Sequence, residues 1–194
     1  MVDKRYKYWA GISNRKDASV AVLQIKPTEK ILRADQFIIN FMKGNNTDSI
    51  LDFGSGYGRN TFALADRTKT VWAYDFPNMI KLLIEDTRFK DYDNIYTTSD
   101  WEEVKKQQFD AIVCVIVLQH IYYKDLESYL KDFLSMSKNL YIQTRASIDF
   151  TKEPIYPILT KYWKHHDSYF ERHTPEVLRT YKKNEHYCIH LIAK

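Results

Sequence analysis

A five-residue window, Gly54–Gly58, holds three of the five glycines of this 194-residue chain. The short apolar run Ile50-Leu51-Asp52-Phe53 stands immediately before it, as expected of a buried parallel strand. Glycine gives a strand-to-helix turn positive φ and a backbone bare enough to lie against a ligand. A helix that begins after such a turn directs its free N–H groups at whatever binds there. The window therefore predicts a cofactor site, with a glycine-rich structural turn as the alternative.

The spacing of these glycines separates two classes of cofactor. A nicotinamide dinucleotide fingerprint reads G-x-G-x-x-G and holds a pyrophosphate on the helix N-terminus. In this chain the third glycine comes one residue early, at Gly58, and Arg59 occupies the dinucleotide position. The spacing therefore argues against an NAD-dependent enzyme.

Residues 50–58 resemble motif I of the class I S-adenosylmethionine-dependent methyltransferases, and they fit that pattern at every position. The resemblance covers residues 50–145 well and the remainder of the chain poorly. It implies a Rossmann-like methyltransferase fold, S-adenosyl-L-methionine as cofactor, and an enzyme that transfers a methyl group. Two other uses of the same pocket stay open, namely breakdown of the cofactor and sensing of it without catalysis.

The resemblance also implies which residues bind the cofactor. Asp75 follows Gly54 by twenty-one residues and ends a second apolar run, where a carboxylate can accept both ribose hydroxyls or, alternatively, cap the next helix. Asp100 would accept from the adenine amine beside the stacking surface of Trp101, or it would cap a short helix. The predicted cofactor residues are Asp52, Gly54, Ser55, Gly56, Tyr57, Asp75, Phe76, Met79, Ser99, Asp100, Trp101, Val115 and Gln119.

Residues 109–121 resemble the fourth motif of the same family, where the strand end faces the transferring methyl group. They contain neither an Asn/Asp/Ser-Pro-Pro-aromatic sequence nor a Pro-Cys pair, which argues against DNA bases as acceptors. The ending Leu-Gln-His-Ile resembles the small-molecule branches. His120 is the candidate general base, with a structural hydrogen bond as the alternative role. Arg145 is the candidate for holding an acidic substrate, or else a solvated surface arginine.

Strands and helices alternate along the chain, which predicts an α/β fold with a doubly wound, mostly parallel sheet and helices on both faces. The apolar periodicity predicts these elements: a helix from Thr28 to Gly44, strands at 50–53, 71–75, 95–98, 111–118, 140–144 and 187–193, and helices at 59–65, 79–85 and 101–106 and after residue 121. We expect one methyltransferase domain over 1–194. Its parts are an N-terminal lid segment and helix (1–45), a cofactor-binding core (46–145), and a substrate-side loop with the final strand (146–194).

The C-terminal part carries two further signals. Thr174-Pro175-Glu176-Val177-Leu178 resembles a helix start found late in many small-molecule methyltransferases, and only sixteen residues follow it. We therefore expect an abbreviated C-terminal end and leave open whether a sixth strand is present. The cluster His165-His166-Asp167, with Glu171 and His173, lacks an i, i+4 histidine pair or a CxxC partner, so we predict a substrate-facing loop rather than a metal site.

Charge and composition bear on the partners. Residues 1–33 carry eight Lys/Arg against three Asp/Glu, residues 34–150 thirteen against seventeen, and residues 151–194 eight against five. Positive flanks suit an anionic acceptor, and the basic aromatic run Arg5-Tyr6-Lys7-Tyr8-Trp9 makes RNA the alternative partner. We find no stretch of about 20 apolar residues and no apolar leader, and Cys114 and Cys188 lie in strand-like runs. We therefore expect a cytoplasmic protein that does not engage membranes and has buried free thiols; the oligomeric state stays open.

Overall fold

The chain comprises two compact units, Met1–Asp110 and Ala111–Lys194, in a computed structural model. The structure describes residues 47–118, 121, 123–137, 139–145, 179–183 and 187–193, together with the single positions Gly11 and Ile38. Ile38 is helical and only 1% exposed, in line with the predicted apolar face of an N-terminal helix. The rest of that helix, and the segment 146–173, lie outside the described residues.

The first unit alternates three parallel strands with helices. Its elements are β1 (Ser49–Phe53), α1 (Thr61–Ala65), β2 (Thr70–Tyr74), α2 (Pro77–Glu85), a short 3-10 helix (Phe89–Asp91), β3 (Ile95–Thr98) and α3 (Trp101–Val104). The strand order is β3-β2-β1 and both pairings are parallel. Consecutive parallel strands require a crossover, so the chain after each strand returns along the sheet before the next begins. The carboxyl ends of β1, β2 and β3 therefore lie at one edge.

Apolar side chains on the strands form the core of this unit. Ile50, Leu51, Val71 and Ala73 are completely buried, as expected of parallel strands that are covered on both faces. At the carboxyl ends of β1 and β2, Phe53 stacks on Tyr74 with ring centroids 5.2 Å apart. This packing fixes the two strand ends from which the predicted cofactor residues project.

The second unit begins with a parallel pair and ends in an antiparallel hairpin. Its elements are β4 (Ala111–Val115), α4 (Tyr123–Met136), β5 (Asn139–Arg145), β6 (Arg179–Lys183) and β7 (Tyr187–Ala193). The strand order is β4-β5-β7-β6; β5 pairs parallel with β4 and antiparallel with β7. A register shift between Thr180 and Lys182 interrupts the β6–β7 ladder. Within the residues described here, no helix is both long and apolar enough to cross a membrane.

The strand predicted over 111–118 is too long, because β4 ends at Val115. Ile116 has φ +60°, a left-handed conformation that a β-branched side chain rarely adopts. Its N–H donates to the carbonyl of Gln143 at 2.7 Å. The backbone therefore turns out of the strand although the apolar sequence continues. Cys114, just before this turn, is completely buried, as predicted.

The predicted α/β fold class is confirmed: parallel strands alternate with helices in each unit, and an antiparallel pair of strands ends the second unit. The last strand was predicted with its observed bounds, Tyr187–Ala193. The structure also contains β6, whose presence the sequence left open. The final hairpin is therefore complete, and it is formed by two short strands.

Candidate functional site

The glycine loop is anchored to the end of β2. The N–H groups of Gly54 and Ser55 both donate to the carbonyl of Tyr74, at 2.8 and 3.1 Å. All three glycines have positive φ, +77° at Gly54, +57° at Gly56 and +95° at Gly58. The loop thus adopts a path that other residues could follow only with strain.

Two of these glycines are required for different reasons. A Cβ built on Gly58 would collide with the Leu83 side chain and lie 2.7 Å from Phe62 Cε2, so this glycine lets the loop pack against α2 and α1. A Cβ built on Gly56 would meet no atom within 4 Å among the described residues. Gly58 therefore serves packing, whereas the backbone at Gly56 borders open space that a ligand could use.

Asp75 joins the loop to the end of β2. Its Oδ2 accepts from the Gly56 N–H at 2.7 Å and its Oδ1 accepts from the Phe76 N–H, also at 2.7 Å. The side chain is partly exposed, and each carboxylate oxygen has a further lone pair. The structure therefore brings the predicted ribose residue into direct contact with the glycine loop.

Asp52 lies one residue before the end of β1, directly under the loop. Its side chain is 2% exposed, and its Oδ2 accepts from the Thr61 hydroxyl at 2.7 Å. Thr61, the first residue of α1, is completely buried. The acidic residue of the glycine motif is thus held by a charge-assisted hydrogen bond from the helix that follows the loop.

The two carboxylates share an unusual electrostatic environment. Burial raises the pKa of Asp52 to about 6, and Asp75 raises it further while the Thr61 hydroxyl and Arg59 oppose the shift. Burial likewise raises the pKa of Asp75 to about 6, although the hydrogen bonds from the Gly56 and Phe76 N–H groups lower it in part. Two desolvated acidic groups favour a cationic ligand, which would stabilise their charged forms.

Three polar atoms of the loop are buried without a hydrogen-bond partner in the described part of the chain, namely Ser55 Oγ, Tyr57 OH and Asn60 Oδ1. Buried polar groups are nearly always paired, so orphaned atoms in one loop point to a missing ligand or water. Burial also raises the pKa of Tyr57 to about 12, with Arg59, Arg88 and Asp86 as its charged neighbours. Ser55 and Tyr57 were predicted cofactor residues; Asn60 was not.

Asp100 and Trp101 follow β3 as predicted, but each already has a structural contact. Asp100 Oδ1 accepts from the Glu102 N–H at 2.9 Å and caps α3, the alternative role that the sequence left open. Trp101 packs against Phe53 and Tyr74, with ring centroids 5.3 and 5.2 Å away. Ser99 is half-buried between β3 and α3. Their contacts with adenine stay predictions.

The remaining predicted site residues are distributed between the two units. Phe76 is half-buried at the start of α2, and Met79 is 3% exposed in its first turn, consistent with ordinary core packing. Val115 is the half-buried last residue of β4. Arg145 ends β5, and nothing is described of its side chain. Gln119 and His120, and the cluster from His165 to His173, lie outside the described residues.

Sequence reasoning missed Asn60 and Thr61. Both stand at the start of α1, where Asn and Thr are ordinary capping residues, so their identity alone carries no functional signal. In the structure Asn60 makes no side-chain cap and Thr61 is turned toward Asp52. The only available signal was their position directly after the glycine window.

These residues fit S-adenosylmethionine. Asp75 offers acceptors for ribose hydroxyls, the carboxylates of the buried Asp52 and the half-buried Asp75 suit a positively charged ligand, and Gly56 borders space that no described residue fills. The fold and this loop together define a Rossmann-like cofactor-binding protein.

Comparisons with known proteins identify the class more closely. A family model described as a methyltransferase domain matches residues 50–139. No curated protein matches the sequence. The N-methyltransferase NodS from Bradyrhizobium japonicum WM9, solved in complex with S-adenosyl-L-homocysteine, has the same fold (14% identity, 98% of each chain covered, TM-score 0.69). So does the magnesium protoporphyrin IX methyltransferase ChlM from Synechocystis PCC 6803 with bound S-adenosylmethionine (9% identity, 100% of this chain and 99% of that chain, TM-score 0.68). A third structure with this fold is an rRNA methylase from Escherichia coli (15% identity, 96% of this chain and 70% of that chain, TM-score 0.60).

Residues 50–139 therefore match a methyltransferase domain, and the chain has the fold of S-adenosylmethionine-dependent methyltransferases. The structures of NodS and ChlM hold S-adenosyl-L-homocysteine and S-adenosylmethionine, ligands that the site residues described above fit.

Proposed function

We propose that this protein is an S-adenosyl-L-methionine-dependent methyltransferase that transfers the methyl group to a small, anionic acceptor by in-line displacement. The supporting observation is the distribution of charge along the chain: residues 1–33 have a net charge of +5 and residues 151–194 of +3, whereas residues 34–150 have −4. In an open α/β sheet the acceptor side is covered by segments outside the cofactor-binding core. Positive segments there attract and retain a negatively charged acceptor.

The chemistry requires positioning more than activation. When bound, S-adenosylmethionine supplies a methyl group on a positively charged sulfur, so a lone pair of the acceptor displaces the thioether. The protein must hold the acceptor atom about 3–3.5 Å from the methyl carbon and in line with the bond that breaks. The glycine loop, Asp52 and Asp75 hold the cofactor side of this arrangement.

His120 and Arg145 serve the acceptor side in this proposal. An acceptor that carries a proton must lose it, and His120 has a side chain suited to removing it near neutral pH. Arg145 presents a fork of N–H donors that matches a carboxylate or phosphate in two parallel hydrogen bonds. His120 thus accepts a proton and Arg145 orients the anionic group.

A small acceptor is favoured over RNA by the likeness to ChlM, whose name states that it methylates magnesium protoporphyrin IX. RNA is the second candidate, because an rRNA methylase shares the fold and residues 5–9 alternate basic and aromatic side chains. The cytoplasmic location stays a prediction beside both.

The cofactor part of the proposal is tested by thermal unfolding with S-adenosylmethionine, S-adenosylhomocysteine or NAD. A ligand at a hundred times its Kd adds about 2.7 kcal/mol, and at about 2–4 °C per kcal/mol for a chain of this size the midpoint should rise by about 5–11 °C. We expect the two sulfur ligands alone to stabilise the protein. Asp75→Ala should weaken their binding by about 2 kcal/mol or more, because hydrogen bonds to a charged group are lost. A folded Asp75→Ala variant with unchanged affinity would refute the assignment of Asp75.

The acceptor is identified by transfer of labelled methyl from S-adenosylmethionine into a cell extract that is split into RNA, anionic metabolites and other metabolites. Label in the anionic fraction supports the proposal, and label in RNA establishes the second candidate instead. Cofactor turnover without any acceptor would mean that the protein degrades its cofactor. Tight binding with no product from any fraction would indicate a sensor.

A further inference from the structure

A completely buried hydroxyl group contacts the buried carboxylate beneath the glycine loop. Thr61 Oγ1 lies 2.7 Å from Asp52 Oδ2, and the two side chains are 0% and 2% exposed. A hydrogen bond to a charged acceptor in such surroundings is strong, because little water competes for either partner. The bond also joins β1 to α1 across the whole loop, since nine residues separate its partners.

The direction of this hydroxyl is informative. A threonine in a helix commonly bonds back to a carbonyl of its own preceding turn. Thr68, which follows the same helix, does so: its hydroxyl donates to the Leu64 carbonyl at 3.0 Å. Thr61 is the first residue of α1, so the helix has no preceding turn that could accept from it, and its hydroxyl donates to Asp52. The hydrogen bond between Thr61 and Asp52 therefore joins the two ends of the glycine loop rather than two groups within α1.

We propose that Thr61 is a positioning residue of the cofactor site, whose hydroxyl fixes the Asp52 carboxylate in the orientation that cofactor binding needs. This inference rests on the proposed cofactor role of Asp52. Among the residues that the structure describes, Asp52 has three polar neighbours that act on its charge: Thr61 on α1, Asp75 after β2, and Arg59 in the loop. Of these, only the Thr61 hydroxyl is a direct side-chain hydrogen-bond donor to it.

The same contact gives the proposal a readout in pH. Burial raises the pKa of Asp52, and the Thr61 hydroxyl opposes that rise. Without the hydroxyl the pKa of Asp52 rises further, so a larger fraction of the carboxyl group is protonated near neutral pH. A protonated Asp52 no longer attracts the ammonium group of the cofactor's amino-acid part, a group that S-adenosylhomocysteine also carries. Binding should then require a higher pH.

The test measures the Kd of S-adenosylhomocysteine by calorimetry between pH 5.5 and 8.5. Thr61→Val keeps the shape and removes the hydroxyl, Thr61→Ser keeps the hydroxyl, and Thr68→Val is the matched control. We expect Thr61→Val to raise the Kd at pH 7 about tenfold or more, the lower end for a lost hydrogen bond to a charged group. The pH at which affinity falls to half should move upward in Thr61→Val alone.

A double-mutant cycle separates this role from a merely structural one. In an Asp52→Asn background, Thr61→Val should change the Kd by less than about twofold, because the charged partner is already gone. Should Thr61→Val fail to fold, Thr61→Ala removes the hydroxyl without adding a methyl group and takes its place in every comparison. Equal Kd and pH profile in wild type and the folded hydroxyl-free variant would overturn the inference, as would an equal loss in Thr61→Ser. A wild type that binds no S-adenosylhomocysteine would instead overturn the cofactor role of Asp52 on which the inference rests.

Discussion

At the scale of single residues, Asp52 and Asp75 combine two opposed requirements. Burial raises the pKa of both carboxyl groups to about 6, so each is costly to keep ionised while the site holds no cation. The same charge is what suits the site to a positively charged ligand. The residues that serve binding are therefore residues that weaken the ligand-free fold at neutral pH.

Asp52→Asn should stabilise the ligand-free protein at neutral pH. The pKa of Asp52 is about 6 in the folded chain against an ordinary 3.8, so its contribution to the free energy of unfolding is fully present below pH ~4 and lost as the pH rises through about 6. Two pKa units correspond to a contribution on the order of 2–3 kcal/mol. Urea unfolding at pH 4.5 and 7.5 measures the difference.

The control for this prediction is Asp110→Asn. Asp110 lies at the opposite end of β1, is exposed, and accepts from the Asp48 and Ser49 N–H groups at 2.8 and 2.9 Å. The free energy of unfolding of Asp110→Asn should fall between pH 4.5 and 7.5 as much as that of wild type. If the free energy of unfolding of Asp52→Asn falls between pH 4.5 and 7.5 as steeply as that of wild type, the Asp52 carboxyl group does not cause the fall.

His120→Ala should lower kcat about 10²–10⁴-fold, the usual contribution of a general base, if the acceptor must lose a proton. The Kd of S-adenosylhomocysteine should stay unchanged, because the proposed role begins only at the acceptor. Steady-state kinetics and calorimetry on the same variant measure both quantities. Comparable losses in kcat and in cofactor affinity would assign His120 a structural role instead.

At the scale of elements, Gly56 and Gly58 have different roles in the glycine loop. Gly58 lies where any side chain would collide with Leu83 and Phe62, and Gly56 lies where a side chain would meet open space. Both have positive φ, so both substitutions carry backbone strain. Only the substitution of Gly58 should also disrupt packing.

Gly58→Ala should therefore lower the free energy of unfolding by about 2–4 kcal/mol, from strain and overpacking together. Gly56→Ala should cost about 1–2 kcal/mol from strain alone, yet weaken cofactor binding more, because its methyl group enters the space that borders the loop. Chemical denaturation and calorimetry on the pair measure the two effects. Equal stability losses in both variants would contradict the division of roles.

The elements also show what the sequence could predict. Runs of apolar, aromatic and β-branched residues located β1, β2, β3 and β7 to within one residue, because such side chains favour strands. The end of β4 was misplaced, since the turn at Ile116 is a backbone property that its apolar side chain does not reveal. The strand β6, Arg-Thr-Tyr-Lys-Lys, was missed because it is polar and its pairing with β7 defines it.

Part of the geometry of the candidate site could also be predicted from the sequence. The three glycines and Asp75 have a fixed spacing that the chemistry of the loop requires, and they came together as expected. The capping bond of Asp100 and the packing of Trp101 follow from contacts that no spacing encodes. Asn60 and Thr61 were overlooked because their types are common at any helix start.

At the scale of the whole molecule, charge is segregated along the chain, with positive terminal segments and a negative middle. Attraction between an anionic acceptor and positive segments is screened by salt, whereas hydrogen bonds in a buried cofactor site are screened much less. The acceptor and the cofactor should therefore respond differently to ionic strength.

We expect the KM of the acceptor to rise several-fold between about 0.05 and 0.5 M NaCl, while the Kd of S-adenosylhomocysteine changes by less than about twofold. Initial-rate measurements and calorimetry over this range check both values. A salt-insensitive KM would argue against an anionic acceptor, and a parallel change in both constants would mean that salt acts on the cofactor site.

The two buried carboxylates have a consequence for the lifetime of the protein. A ligand that binds only the folded chain raises its stability in proportion to the logarithm of ligand concentration. Because Asp52 and Asp75 weaken the empty form at neutral pH, the protection that the cofactor gives offsets a cost that these two groups impose. Cellular proteases degrade chains that open, so small differences in stability alter abundance several-fold. The amount of this enzyme should therefore follow the supply of its own methyl donor.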